Sequence, residues 1–106
     1  MLGSRTVAIG WNALNDQSFS STTETYNTAV GYEAGAKLTS GTANTIVGGL
    51  AGDALTTGNR NTLIGFDAGY DVAMTGTGNI VIGDYARVSS TTQDVAIVLG
   101  SQSISC

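Results

Sequence analysis

Residues 44–52 read NTIVGGLAG: β-branched side chains set between glycines, with no charge, no proline and no reactive group. Taken alone, the stretch fits a core strand or a phosphate-cradling loop. Its neighbours decide the matter. The same line recurs as NTAVGYEAG at residues 27–35, as NTLIGFDAG at 61–69 and, altered, as NIVIGDYAR at 79–87. The glycines that close the apolar pairs, Gly31, Gly48, Gly65 and Gly83, stand 17, 17 and 18 residues apart.

Other columns keep this register. Asn27, Asn44, Asn61 and Asn79 lie four residues before the glycine, and Ala34, Ala51, Ala68 and Ala86 three after it. Gly35, Gly52 and Gly69 follow the alanines; Leu38, Leu55 and Val72 lie seven after the glycine; Gly41 and Gly58 lie ten after, with Gly76 displaced by a one-residue insertion. TVAIGWNAL at residues 6–14 puts Gly10 and Ala13 in the same places, and the 21-residue step to Gly31 predicts an inserted loop near 15–25. DVAIVLG at residues 94–100 is a sixth copy with two open registers: Gly100 continues the 17-residue step, or Val98 stands where glycine should. Residues 1–106 are then one repeat domain, with coils starting near 6, 27, 44, 61, 79 and 94.

A period of 17 is too short for a helical pair. Each unit holds a strand-favouring run, a Gly-rich corner, a short Leu-Thr segment and a second Gly corner, which predicts two strands and two turns per coil of an all-β, parallel β-solenoid. Glycine at fixed corners supplies positive φ and lets successive backbones approach closely. Asn at a corner tolerates left-handed geometry. Stacked coil upon coil, the four asparagines either form an amide ladder or serve only as turn formers.

Strand side chains alternate between faces. Val7, Ile9, Val30, Val47, Ile64, Ile80 and Ile82 therefore share one face, and Ala8, Ala29, Ile46, Leu63 and Val81 the other. Both are apolar. One face fills the coil's lumen with the Ala34 and Leu38 columns, and the second needs another partner, most economically a second copy of the chain about a common axis. Alternation alone leaves open which face meets that axis.

Composition excludes several functions. Of 106 residues 42% are hydrophobic but only 11% charged, and the four basic side chains, Arg5, Lys37, Arg60 and Arg87, are scattered in a chain of net charge −4, so a nucleic-acid partner is not expected. No apolar run is long enough for a spanning helix, so membrane insertion is not expected either. Cys106 is the single cysteine, and histidine is absent, which removes His-based triads and proton shuttles. The glycine-rich corners lack the Lys-Ser/Thr pair of a phosphate loop. Asp53, Asp67, Asp71 and Asp84 stand near corners without calcium-coil spacing and read as solvated turn acids. No catalysis, metal or cofactor is expected.

Trp11, Tyr32 and Phe66 follow the repeat glycine, with Gly49 and Asp84 interrupting the column. Such aromatics either stack on sugar rings or cover the gap between coils or subunits. Thr28, Thr45 and Thr62 align, as do Thr39 and Thr56; threonine ladders raise an ice-binding alternative, but neither column exceeds three members.

NTAVGYEAG, NTIVGGLAG and NTLIGFDAG resemble the tandem N-T-A-[IV]-G-Y repeats of bacteriophage and algal-virus tail fibres, and TVAIG and DVAIVLG are similar to the head repeats of trimeric autotransporter adhesins. The resemblance spans about Thr6 to Gly100 and implies a parallel homotrimer of left-handed β-rolls, one coil per repeat. It departs in the longer period, the N-terminal loop and Ile80 in place of Thr. It implies a fibre segment in a virion or the extracellular space that spaces or presents a host receptor-binding surface; a glycan-binding head on a bacterial surface is the alternative. Each coil adds about 4.8 Å, so five to six coils make a stiff spacer of roughly 25–30 Å. Neither MLGSR nor SQSISC reads as a polar cap, which suggests a piece of a longer fibre or end-to-end stacking of trimers.

Overall fold

The computed structural model describes residues 3–18, 23–70, 74–90, 92 and 94–101. Among them there is no helix, and the chain is a parallel β-solenoid of about five turns. Six three-residue strands stack in order: β2 (Val7–Ile9), β4 (Thr28–Val30), β5 (Thr45–Val47), β6 (Thr62–Ile64), β7 (Ile80–Ile82) and β8 (Ile97–Leu99). Two short strands, β1 (Gly3–Ser4) and β3 (Thr23–Glu24), pair separately. Thr28 is level with Thr45 and Thr45 with Thr62, so the asparagine register is the structural register. Ile80 pairs with Ile97 and Gly100 donates to the Ile82 carbonyl at 2.9 Å. The last coil thus keeps the 17-residue step, with Ala96 in the asparagine place.

Lumen filling explains which strand face turns inward. Ala29, Ile46, Leu63 and Val81 are wholly buried, with Val98 nearly so, and they pack against Ala34, Ala51, Ala68, Leu38 and Leu55. Ala8, expected on this face, belongs to the first coil and is exposed. The Leu38–Leu55 column continues in Met74, which bridges Leu55; Val72, expected in this column, lies outside the described residues. Met74 stands nine residues after Gly65, where Leu38 and Leu55 stand seven after Gly31 and Gly48, so the shift exceeds the one-residue insertion counted between Gly58 and Gly76. The expected second strand of each coil is, among the described residues, reduced to isolated bridge positions at Leu55, Met74 and Arg87. The Leu-Thr segment instead follows a run of turns, and its backbone bonds still run up the stack, as from Thr39 N to the Thr56 carbonyl at 2.9 Å. The middle of the predicted loop, residues 19–22, lies outside the described residues. Ser18 still bonds the Thr39 carbonyl in the 21-residue register.

Asparagine closes and joins the coils. Asn27, Asn44, Asn61 and Asn79 are fully buried. Asn27 Oδ1 accepts the Asn44 backbone N–H at 2.9 Å, Asn44 Oδ1 that of Asn61 at 2.9 Å, Asn61 Oδ1 that of Asn79 at 2.9 Å, and Asn79 Oδ1 that of Ala96 at 2.9 Å. Each of the first three also donates from Nδ2 across its own coil, to the Gly41, Gly58 and Gly76 carbonyls at 2.8–2.9 Å. The amide ladder is therefore present, and Asn27, Asn44 and Asn61 are each both a rung and a clasp. The left-handed residue is not the asparagine, as expected of a corner, but the one before it: Tyr26, Ala43, Arg60, Gly78 and Val95 have φ between 54° and 75°. Displacing the strain by one residue frees the asparagine side chain to point inward. At the other corner Gly48 has φ 134°, and a Cβ there would sit 2.5 Å from the Gly65 carbonyl oxygen.

Candidate functional site

With Ile46 and its column inside, the alternate strand residues face out. Val7, Ile9, Val47, Ile80, Ile82, Ile97 and Leu99 are exposed, with Val30 and Ile64 half-buried. Position within the stack does not explain this, because Val47, with coils above and below it, still keeps 36% of its surface in solvent. The threonines Thr28, Thr45 and Thr62 share this outer face, and Ile80 and Ile97 continue their column. Alternation predicted two apolar faces, and the structure separates them: Ile46, Leu63 and Val81 line the lumen, while Ile9, Val30, Val47, Ile64 and Ile82 form an outer surface. Ile97 and Leu99 extend it; they were hidden by the ambiguous register of the last coil.

The repeat glycines Gly10, Gly31, Gly48, Gly65 and Gly83 end the strands of this face, and the aromatic column begins one residue on. Trp11 and Tyr32 stack with ring centres 5.3 Å apart and planes 12° from parallel, and both are more than half exposed. Phe66 meets Tyr85 edge to face at 5.5 Å, and Tyr85 meets Tyr70 at 5.4 Å; the Arg87 guanidinium lies 5.4 Å from the Tyr70 ring centre. Tyr70 and Tyr85 fall five and two residues after the glycine, outside the column that the repeat makes visible. Between the Trp11–Tyr32 pair and Phe66 stands Gly49.

Carboxylates border this corner. Burial holds Asp67 above its ordinary value, helped by the charges of Asp53 and Asp84. Asp53 is likewise raised, first by burial, with Lys37 opposing and Glu33 adding to the shift. Asp67 Oδ1 is buried without a hydrogen-bond partner. Among the described residues no three His, Cys, Asp or Glu side chains are grouped to hold a metal ion, and no helix is long and apolar enough to cross a membrane. What the surface offers is contact: a row of aliphatic side chains, and beside it a row of aromatic rings with acid groups on its flank.

Compared with protein-family models, curated proteins and solved structures, the chain matches none significantly.

Proposed function

We propose that the chain is a structural segment of a viral tail fibre or related adhesin: a parallel homotrimer of β-solenoids forming a stiff shaft or head that spaces or presents a receptor-binding surface. The observation that carries this reading is the outward apolar face centred on Val47. A parallel sheet is ordinarily covered on both faces, and a contiguous apolar surface of this kind marks an interaction site. Each aliphatic side chain gains about 1.5–3 kcal/mol on going from full exposure to full burial. A second copy in parallel carries the same rows at the same repeat of about 4.8 Å, so its side chains can interdigitate along the whole stack. The number three comes from the likeness of NTAVG, NTIVG and NTLIG to tail-fibre repeats and of TVAIG to adhesin heads.

In this role the work is mechanical. Backbone bonds and amides tie every coil to the next, so the rod resists bending, and a virion or cell surface gains reach without chemistry. The partners are further copies of the chain and a cell-surface glycan or receptor. Static light scattering on the purified chain is expected to give three times 10.7 kDa or a polymer of that unit. A stable monomer, with the Val47 face left in water, would remove the reading.

A further inference from the structure

Gly49 lacks the reasons that account for its neighbours. Gly48 and Gly65 have φ of 134° and 130°, and Gly41 and Gly58 lie where a Cβ would meet a backbone oxygen at 2.2–2.4 Å. Gly49 has no positive φ, and a Cβ built on it meets only Phe66, at 3.6 Å from Cδ2 and 3.8 Å from Cε2, which is ordinary van der Waals contact. Neither backbone conformation nor close approach requires glycine there. Its place in the repeat is the one that holds Trp11, Tyr32 and Phe66 on other coils.

What glycine does at 49 is leave a notch. Strand register places Tyr32, Gly49 and Phe66 on three successive coils. Leu50 N bonds the Tyr32 carbonyl at 2.7 Å, and Asp67 N bonds the Gly49 carbonyl at 2.9 Å. Tyr32 and Phe66 therefore leave the backbone two inter-strand spacings apart, about 10 Å. A flat ring between two others needs about 3.5–4 Å on each side, so the notch is one ring wide. Tyr32 is backed by its stack on Trp11 and Phe66 by Tyr85, which hold the walls apart.

We infer that this notch is a binding site for a neutral pyranose ring of a glycan, held between Tyr32 and Phe66 over Gly49, with Asp67 and Glu33 accepting its hydroxyl protons. The inference deepens, and rests on, the reading of the chain as a segment that presents a receptor-binding surface. Aromatic walls suit the C–H faces of a pyranose. Acceptors on the rim suit its hydroxyls, and the half-buried Glu33 and Asp67 stand one residue beyond Tyr32 and Phe66. The carboxylates Glu33, Asp53, Asp67 and Asp84 disfavour an anionic sugar.

Gly49→Tyr should fold, because its backbone and surroundings accept a side chain, and it fills the notch. The wild type, Gly49→Tyr and Asp67→Asn would be applied to an array of immobilised neutral and sialylated oligosaccharides, with circular dichroism and light-scattering mass measured on the same samples. The wild type is expected to bind neutral pyranosides, Gly49→Tyr to lose at least tenfold with an unchanged spectrum, and Asp67→Asn to lose severalfold. Absence of neutral-sugar binding by the wild type, a preference for sialylated sugars, or binding indifferent to Gly49→Tyr would each overturn the site. A changed mass in Gly49→Tyr without any sugar binding would assign the notch to a second copy and also overturn it. The wild-type mass reports on the trimer independently, so failure of one reading is distinguishable from failure of the other.

Discussion

Asn44 Oδ1 accepts the backbone N–H of Asn61, one coil on, at 2.9 Å, while Asn44 Nδ2 donates to the Gly58 carbonyl of its own coil at 2.9 Å. Asn44→Leu keeps similar bulk but strands both partners in the dry interior. At about 1–3 kcal/mol for each unpaired buried group, the substitution should cost roughly 2–6 kcal/mol in denaturant unfolding. Asn44→Asp keeps the acceptor and turns the donor into a charge facing a carbonyl. Its loss should be larger at neutral pH and shrink in acid, where the protonated carboxyl regains a donor. An Asn44→Leu chain as stable as wild type would show that the ladder contributes nothing.

Adjacent glycines should respond in opposite ways. Gly48→Ala forces a φ near 134° on an L-residue and drives its Cβ to 2.5 Å from the Gly65 oxygen. Backbone strain of this kind costs about 1–3 kcal/mol before the clash is added. Gly49→Ala meets neither problem and should stay within about 0.5 kcal/mol of wild type. Paired thermal melts separate the two, and equal losses would contradict the distinction.

Ile46 and Val47 test the two faces of one strand. Ile46→Ala opens a cavity in the lumen and should cost about 2–5 kcal/mol of folding stability. Val47→Lys puts a charge on the outer face, where folding tolerates it and association does not. Its expected signature is a native far-ultraviolet spectrum with a mass of 10.7 kDa. Retention of a larger assembly by Val47→Lys would remove that face from the interface.

Asp67 and Asp53 set a pH dependence. Burial, the largest cause for both, raises their values above the ordinary 3.8, so in the interval above 3.8 the folded chain binds more protons than the unfolded one. Stability from these groups is gained as pH falls through that interval and lost as pH rises through the folded value. The denaturation midpoint should therefore rise on mild acidification from neutral pH, and Asp67→Asn should flatten that slope while stabilising the chain at pH 7. An Asp67→Asn chain with the wild-type slope would exclude the residue as a contributor.

Much of this architecture was legible because a solenoid writes its geometry as a period. Aligned asparagines and glycines fixed strand register, and alternation separated Ile46 from Val47. Alternation could not say which of the two goes inside, since that depends on which way the chain turns at Gly48. Left-handed backbone before each asparagine was invisible for a chemical reason: Tyr26, Ala43, Arg60 and Val95 share no property, and only Gly78 advertises it. Ala96 hides the last register because its backbone N–H, not its side chain, meets Asn79. The candidate site was read in part. Trp11, Tyr32 and Phe66 form a visible column, whereas Gly49 reads only as an interruption, because a sequence does not show that its backbone and its van der Waals contact with Phe66 would accept a side chain.

The asparagine clasp makes one coil a one-dimensional unit cell. Asn44 presents to the following coil the same acceptor that Asn27 presents to Asn44, and each coil closes on itself through its own glycine carbonyl. A segment such as residues 44–60 can therefore be duplicated or deleted with its mating surfaces still matched. Gene duplication by whole repeats lengthens or shortens such a rod in discrete steps without redesigning a single junction.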